Sequence, residues 1–160
     1  MTDQISSSSS GFDFQKAMLS FDGRLRRSHF WIAWVILFAI GLVMGMIPVI
    51  NLLGIVLLWP HLAIGVKRLH DMGKPGWLIA IPYVAAFAAW IGAFVMVGAG
   101  AIMNAAALDA EDPAAFLATF GPAVGILGAS CLLSLVFWLW MGLADSQPGS
   151  NSHGQNPKAL

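Results

Sequence analysis

The chain has 160 residues and a formal net charge of zero; 58% of its residues are hydrophobic and only 10% are charged. A soluble domain of this size has too small an interior to bury so much apolar surface, and would expose large apolar patches. The composition therefore excludes an ordinary soluble domain and indicates that lipid is part of the solvent. The single cysteine, Cys131, excludes an intramolecular disulfide framework.

The first residues predict a tail followed by a short surface helix. Residues 1–11 contain five consecutive serines and are predicted to be a disordered tail, because they offer nothing to bury. Residues 12–145 are predicted to form the membrane domain. Within it, Phe14, Ala17, Met18 and Phe21 have the spacing of one helix face. This spacing favours a helix lying on an anionic membrane surface, with a loosely ordered segment as the alternative.

An apolar run from Phe30 to Val66 predicts two membrane spans. As one helix it would extend roughly 55 Å, nearly twice the ~30 Å hydrocarbon thickness, so we expect the chain to fold back. Pro48 to Asn51 is the turn that the sequence favours. This gives spans over about 30–47 and 52–66; one long tilted helix is the alternative.

Two further apolar runs predict a third span over about 77–103 and a fourth over about 123–144. The break between them holds three acids and no cation. Asp112 followed by Pro113 is typical of a helix start, so we expect a short interfacial helix that ends before Gly121-Pro122. Residues 146–160 are predicted to be a polar cytoplasmic tail.

The basic residues predict the orientation. All of them precede the first span, lie between the second and third, or follow the fourth. The positive-inside rule then predicts an all-α, four-helix bundle that spans a membrane, with both termini in the cytoplasm.

Residues 67–77 form the polar segment between the second and third spans. Basic side chains favour the end of a helix, Gly73 suits the left-handed residue that follows it, and Pro75 stops it. Asp71 does not fit, because the helix dipole disfavours an acid at this end. We therefore expect a partner for Asp71, either Lys67 one turn earlier or one of Arg24, Arg26 and Arg27 from another segment.

His61 is the candidate polar site within a span, since ionisable groups in membranes are often functional. A neutral histidine bonded to a carbonyl that Pro60 frees, that of Val56, is the alternative. His70, Asp71 and His153 match no metal-site spacing, so no metal site is predicted.

Three motifs carry a family resemblance: residues 21–31 (FDGRLRRSHFW), residues 60–77 (PHLAIGVKRLHDMGKPGW) and residues 149–157 (GSNSHGQNP). With them the chain resembles the bacterial inner-membrane family catalogued as domain of unknown function number 805. Lys67, Pro75 and His153 stand where the family pattern has an arginine, a small polar residue and an aromatic residue. The resemblance implies an inner-membrane location but no established reaction.

The three motifs all fall on the predicted cytoplasmic side, where we expect them to assemble into one polar cap. Its members are Arg24, Arg27, Arg68, His70, Asp71 and Asn151.

We interpret the chain as a non-enzymatic membrane protein whose basic polar cap binds anionic lipid headgroups or a protein partner, a second copy of the chain included. No catalytic residue, cofactor or nucleic-acid partner is predicted. The alternative is a small transporter or channel subunit that uses His61. A membrane enzyme with His70 and Asp71 as acid and base has only residue type in its support.

Overall fold

The computed structural model describes residues 14–47 and 52–157, and every regular element in these ranges is helical. The predicted tail at residues 1–11 and the predicted turn at residues 48–51 lie outside them. The α-helices are α1 (Phe14–Leu19), α2 (Arg27–Gly45), α3 (Leu58–Asp71), α4 (Ala80–Met103), α5 (Ala105–Asp109) and α6 (Pro113–Leu143). Two 3-10 helices, Leu52–Leu57 and Gly76–Ile79, lead into α3 and α4.

Three helical segments are long and apolar enough to cross a membrane: Arg27–Gly45, Gly76–Met103 and Pro113–Leu143. They agree with a membrane protein. The expected second span is divided instead between the 3-10 helix Leu52–Leu57 and the 14-residue α3. The division falls next to Pro60, which has no N–H to donate to the carbonyl of Val56, so one α-helical bond is missing where the 3-10 helix gives way to α3.

Helix α6 differs from the expected pair of a short helix and a span. Its start is as predicted: the Asp112 carboxylate accepts a hydrogen bond from the Ala114 N–H at 2.9 Å, with Pro113 as the first helical residue. The expected break at Gly121-Pro122 is absent, because α6 runs unbroken from Pro113 to Leu143. Pro122 removes one backbone bond, whereas a break in an apolar environment would leave several groups unpaired.

The chain divides into two compact units. The second unit, Trp77–Ala144, is built on α4 packed against α6. A Cβ added to Gly100 would lie 3.1 Å from the Cα of Thr119, so the two backbones approach closely there. The Asn104 amide donates to the Gly100 carbonyl at 3.0 Å and to the Thr119 hydroxyl at 3.1 Å, which ties the same point with polar contacts.

The first unit joins the residues up to Gly76 to the segment from Asp145 onward. Within it, α3 packs against α1 and α2. Two donors from α3 reach the C-terminal carbonyls of α1: the Lys67 ammonium bonds the carbonyl of Lys16, and the Trp59 indole bonds that of Leu19 at 3.2 Å. The last carbonyl groups of a helix have no partner within the helix, so these bonds satisfy two of them and anchor the end of α1.

Candidate functional site

The polar cap begins at the C-terminal end of α3. Asp71 is the last residue of this helix, and Arg68 lies three residues earlier on the same face. Both side chains are fully buried, and the Arg68 guanidinium donates to Oδ2 of Asp71. The helix ends as the sequence predicts: Gly73 has a φ of +69°, and its N–H and that of Lys74 bond the carbonyls of His70 and Leu69 at 3.1 and 2.8 Å.

Arg24 supplies the contact from another segment. Its Nε donates to Oδ1 of Asp71 at 3.1 Å, and only 1% of the side chain is exposed. Gly23, with a φ of +92°, turns the chain before it, and the N–H of Leu25 bonds the carbonyl of Lys67 at 3.2 Å. Asp71 therefore pairs with one residue of its own helix, Arg68, and with one from a distant segment.

Arg24 also binds the tail through backbone carbonyls. Its Nη2 donates to the carbonyls of Gln147 and Asp71 at 2.6 and 3.3 Å, and its Nη1 to those of Gly149 and Gly154 at 2.7 and 3.5 Å. With the bond from Nε, these contacts occupy the five N–H groups of the guanidinium. Arg24 thus acts as a hub that holds two remote segments together.

The tail is shaped so that its carbonyls face this hub. Gly149 and Gly154 have φ values of +74° and +124°, which glycine adopts without strain. Gly154 also exchanges two backbone hydrogen bonds with Asn151, of 3.0 and 3.1 Å. Two more bonds fix the start of the tail on Asp71: the Ser146 hydroxyl donates to its Oδ2, and the Gln147 N–H to its carbonyl at 2.7 Å.

His70 and Asn151 form the outer part of the polar cap. The Asn151 amide donates to the carbonyl of His70 at 2.9 Å. The ring of His153 stacks on the ring of His70, with centroids 3.6 Å apart and planes inclined by 4°. Within the described residues, Nδ1 of His70 is buried without a hydrogen-bond partner. Burial, and next the neighbouring His153, lower the pKa of His70 below its ordinary value.

The buried charges in the polar cap are the guanidinium groups of Arg24 and Arg68 and the carboxylate of Asp71. Burial lowers the pKa of Arg68, and the adjacent Asp71 opposes that shift. The carbonyl oxygens around Arg24 add partial negative charge to a cluster that one acid alone would leave positive. Both oxygens of Asp71 accept hydrogen bonds, so this carboxylate holds structure together.

The remaining predicted residues lie at the edge of the polar cap or outside it. Arg27 is 45% exposed and forms an ion pair with Asp145 at 3.7 Å, which is an exposed contact of little energetic weight. His61, in α3, is half-buried, and its Nδ1 contacts the carbonyl of Leu57 at 2.8 Å. No group of three possible metal-ligating side chains occurs within the described residues.

Sequence reasoning missed Ser146 and Gln147, which bond Asp71 directly. Nothing in their type or spacing marks them. The tail glycines offered the only signal, since two glycines around an asparagine are typical of a turn.

The family model described as "Protein of unknown function (DUF805)" matches residues 18–155. The chain belongs to this family. It is also similar to the uncharacterized protein YiiR of Escherichia coli strain K12 and of E. coli O157:H7, with 44% identity over 71 residues in each case. These matches cover 39% of this chain and 48% of each relative, so they extend over about half of the relatives' length. No solved structure matches the chain.

Proposed function

We propose that this DUF805 protein is a non-enzymatic, multi-pass protein of the bacterial inner membrane whose exposed basic residues bind anionic lipid headgroups on the cytoplasmic side. The observation that carries the proposal is the distribution of charge between the two units. The second unit contains Asp109, Glu111 and Asp112 and no lysine or arginine. Every lysine and arginine of the chain belongs to the first unit.

Burial divides the basic residues of the first unit into two sets. In the described residues, three are buried in or beside the polar cap: Arg24, Lys67 and Arg68. Four are exposed: Lys16, Arg26, Arg27 and Lys74. Asp22 and Asp145 are the exposed acids of the same unit in those ranges, so its surface carries an excess of positive charge. Each cation near an anionic surface contributes about 1 kcal/mol of attraction.

The contacts of Arg24 support four membrane crossings with both termini on one side. Arg24 bonds Asp71 and Gln147, so these three residues share one side of the membrane, and each stretch between them must cross an even number of times. The stretch from Asp71 to Gln147 contains two apolar helices. The stretch from Arg24 to Asp71 contains one, α2, and we propose that residues 52–66 supply the other crossing.

The length of this segment is sufficient. Six residues of 3-10 helix and nine of α3, from Leu52 to Val66, extend about 24–26 Å, close to the ~30 Å of the hydrocarbon layer. The acidic loop before α6 then lies outside, as the positive-inside rule favours.

The polar cap supports a structural role more than a catalytic one, because Asp71 is fully buried and both of its oxygens are occupied. The contact of His61 with the Leu57 carbonyl suits a histidine that satisfies its own helix. No observation favours transport through His61.

Cysteine labelling tests the crossings. In a Cys131→Ser background, a membrane-impermeant maleimide should label Ala107→Cys in intact spheroplasts. Lys74→Cys and Ser150→Cys should be labelled only after the membrane is permeabilised. Labelling of Lys74→Cys from outside would contradict a crossing by residues 52–66.

Lipid analysis of the purified protein tests headgroup binding. We expect phosphatidylglycerol and cardiolipin to be enriched over phosphatidylethanolamine relative to the bulk membrane, and increasing salt to reduce the enrichment. The double variant Lys16→Gln/Arg26→Gln should lose most of it, whereas Asp22→Asn, which removes an exposed acid of the same unit, should not. An enrichment that is absent, or unchanged in the double variant, would contradict the proposal.

A further inference from the structure

A polar cleft of about 490 Å³ lies beside the polar cap, between the residues that follow α3 and the tail. Residues 73–75 form one wall, and Gln147, Asn151, Ser152 and His153 form the other. The volume falls within the range of small-ligand sites, about 300–1,000 Å³. One ammonium group and no carboxylate belong to its lining, so the cleft is electrostatically suited to an anion.

Backbone hydrogen bonds hold the first wall in place. The N–H of Lys74 bonds the carbonyl of Leu69 at 2.8 Å, and Pro75 restricts the backbone that follows. Gly73 lies so close to the tail that an added Cβ would be 2.3 Å from Oε1 of Gln147. The Lys74 side chain therefore extends from a fixed point at the edge of the cleft.

Hydrogen bonds orient the amide groups of the second wall. Oδ1 of Asn151 accepts a bond from the N–H of His153 at 2.9 Å, which leaves Nδ2 of Asn151 as a donor to Oε1 of Gln147 at 3.0 Å. Since Oε1 is occupied, Gln147 presents its Nε2 donors elsewhere. Within the described residues, Nζ of Lys74, Nε2 of Gln147 and Oγ of Ser152 have no hydrogen-bond partner.

We infer that this cleft binds a phosphate monoester group through Lys74, Gln147 and Ser152, with His153 beside them. A tetrahedral anion with three terminal oxygens can use the separate donors on both walls, whereas a carboxylate has two oxygens. The inference rests on the proposed function in one respect, namely whether the phosphate group belongs to a membrane lipid or to a soluble ester. The same chemistry belongs to a lipid headgroup such as phosphatidic acid and to a soluble ester such as glycerol 3-phosphate.

A titration of the full-length, ¹⁵N-labelled protein in detergent micelles tests the inference. The probes are inorganic phosphate and glycerol 3-phosphate, with sodium chloride at matched ionic strength as the control. We expect saturable shifts of the backbone amides of Lys74, Gln147, Ser152 and His153. Lys74→Gln should weaken binding by roughly fivefold or more, the equivalent of one cation. Arg26→Gln, which removes an exposed cation outside the cleft, should leave the affinity unchanged.

Nanodiscs with and without phosphatidic acid identify the source. Shifts of the same amides with phosphatidic acid assign the cleft to a lipid headgroup. Shifts with glycerol 3-phosphate alone keep the phosphate site and assign it to a soluble ester, whatever the lipid enrichment experiment shows. No saturable shift with any probe, shifts that chloride reproduces, or equal affinity in Lys74→Gln would overturn the inference. Unchanged spectra of Asn151 and Gly154 establish that Lys74→Gln keeps its tail docked.

Discussion

Different kinds of contact stabilise the two units of this chain, each from within. In the first, the buried guanidinium of Arg24 joins the end of α3 to carbonyls of the tail, which lie more than 120 residues after Arg24 in sequence. In the second, α4 packs against α6, their backbones approach closely at Gly100 and Thr119, and the Asn104 amide adds polar contacts at the same point.

The difference predicts how each unit responds to change. Charge-assisted bonds in a buried cluster depend on every member, because removing one leaves the others unpaired in an apolar surrounding. Close packing of small residues depends on volume, and it tolerates the loss of a hydrogen bond better than the gain of a methyl group. A substitution that changes charge but not size should therefore affect the first unit. One that changes size but not charge should affect the second.

Asp71→Asn should have the largest effect. The amide keeps the shape of the side chain but leaves two buried guanidinium groups, those of Arg24 and Arg68, without their anion. Breaking a buried pair in this way costs about 3–5 kcal/mol. We expect a correspondingly lower thermal unfolding midpoint in detergent and release of the tail to protease.

Two variants sharpen this test. Asp145→Asn removes an acid that is 80% exposed and pairs with Arg27, and exposed pairs contribute at most about 1 kcal/mol, so its midpoint should barely change. Adding Arg68→Met to Asp71→Asn removes one uncompensated charge and should recover part of the loss. Equal midpoints for Asp71→Asn and the unmodified protein would show that the buried charges do not hold the first unit together.

Gly100→Ala should have an intermediate effect, confined to the second unit. The new methyl group would lie 3.1 Å from the Cα of Thr119 and 3.3 Å from its Cγ2, so the helices must move apart. Overpacking of this kind costs about 1–3 kcal/mol. Hydrogen exchange should increase in α4 and α6 and remain unchanged in the tail.

Gly98→Ala is the matched control, because a Cβ at this position in the same helix meets nothing within 4 Å. The better helix propensity of alanine should make it neutral or slightly stabilising. If the two alanine variants unfolded at the same temperature, close approach at Gly100 would not be what joins α4 to α6.

The same contrast explains which parts of the fold can be predicted from the sequence. Apolar runs predict the helices of the second unit and α2 well, because a span is recorded in composition alone. They cannot record that residues 52–57 form a 3-10 helix, or that α6 continues through Pro122, since both depend on how neighbouring turns satisfy the backbone.

The part of the polar cap that could be predicted is the pair around Asp71, because an acid at the C-terminal end of a helix is disfavoured by the helix dipole. Asp71 at a helix end required a cation, and Arg24 was one of the few available. Arg68 was not predicted as its partner, because the i, i+4 spacing favoured Lys67, although residues three apart on a helix also face each other. The carbonyls of Gln147, Gly149 and Gly154 could not be predicted at all, because every residue has a carbonyl and only the fold selects which ones turn inward.

Acidification should have the smallest effect, and only in the first unit. Burial, and next the stacked His153, lower the pKa of His70 from its ordinary value of 6.5, while the Gly23 carbonyl and Asp22 oppose the shift. A lowered pKa means that the docked tail binds the neutral ring. The resulting stabilisation is present above pH 6.5 and is lost as the pH falls below it and His70 gains a proton. Hydrogen exchange at the Gln147 N–H, which bonds Asp71, reports this loosening.

His153→Phe separates titration from stacking. Phenylalanine keeps an aromatic ring against His70 and removes the imidazole that, after burial, lowers the pKa of His70. The exchange rate of the Gln147 N–H, corrected for intrinsic chemistry, should therefore depend less on pH than in the unmodified protein. The second unit has no histidine, so α4 and α6 serve as an internal reference that should not respond between pH 7.5 and pH 5.5. Equal pH dependence in the variant would show that His153 does not contribute to the effect. A change in α4 and α6 as large as that in the tail would show that the two units do not respond separately.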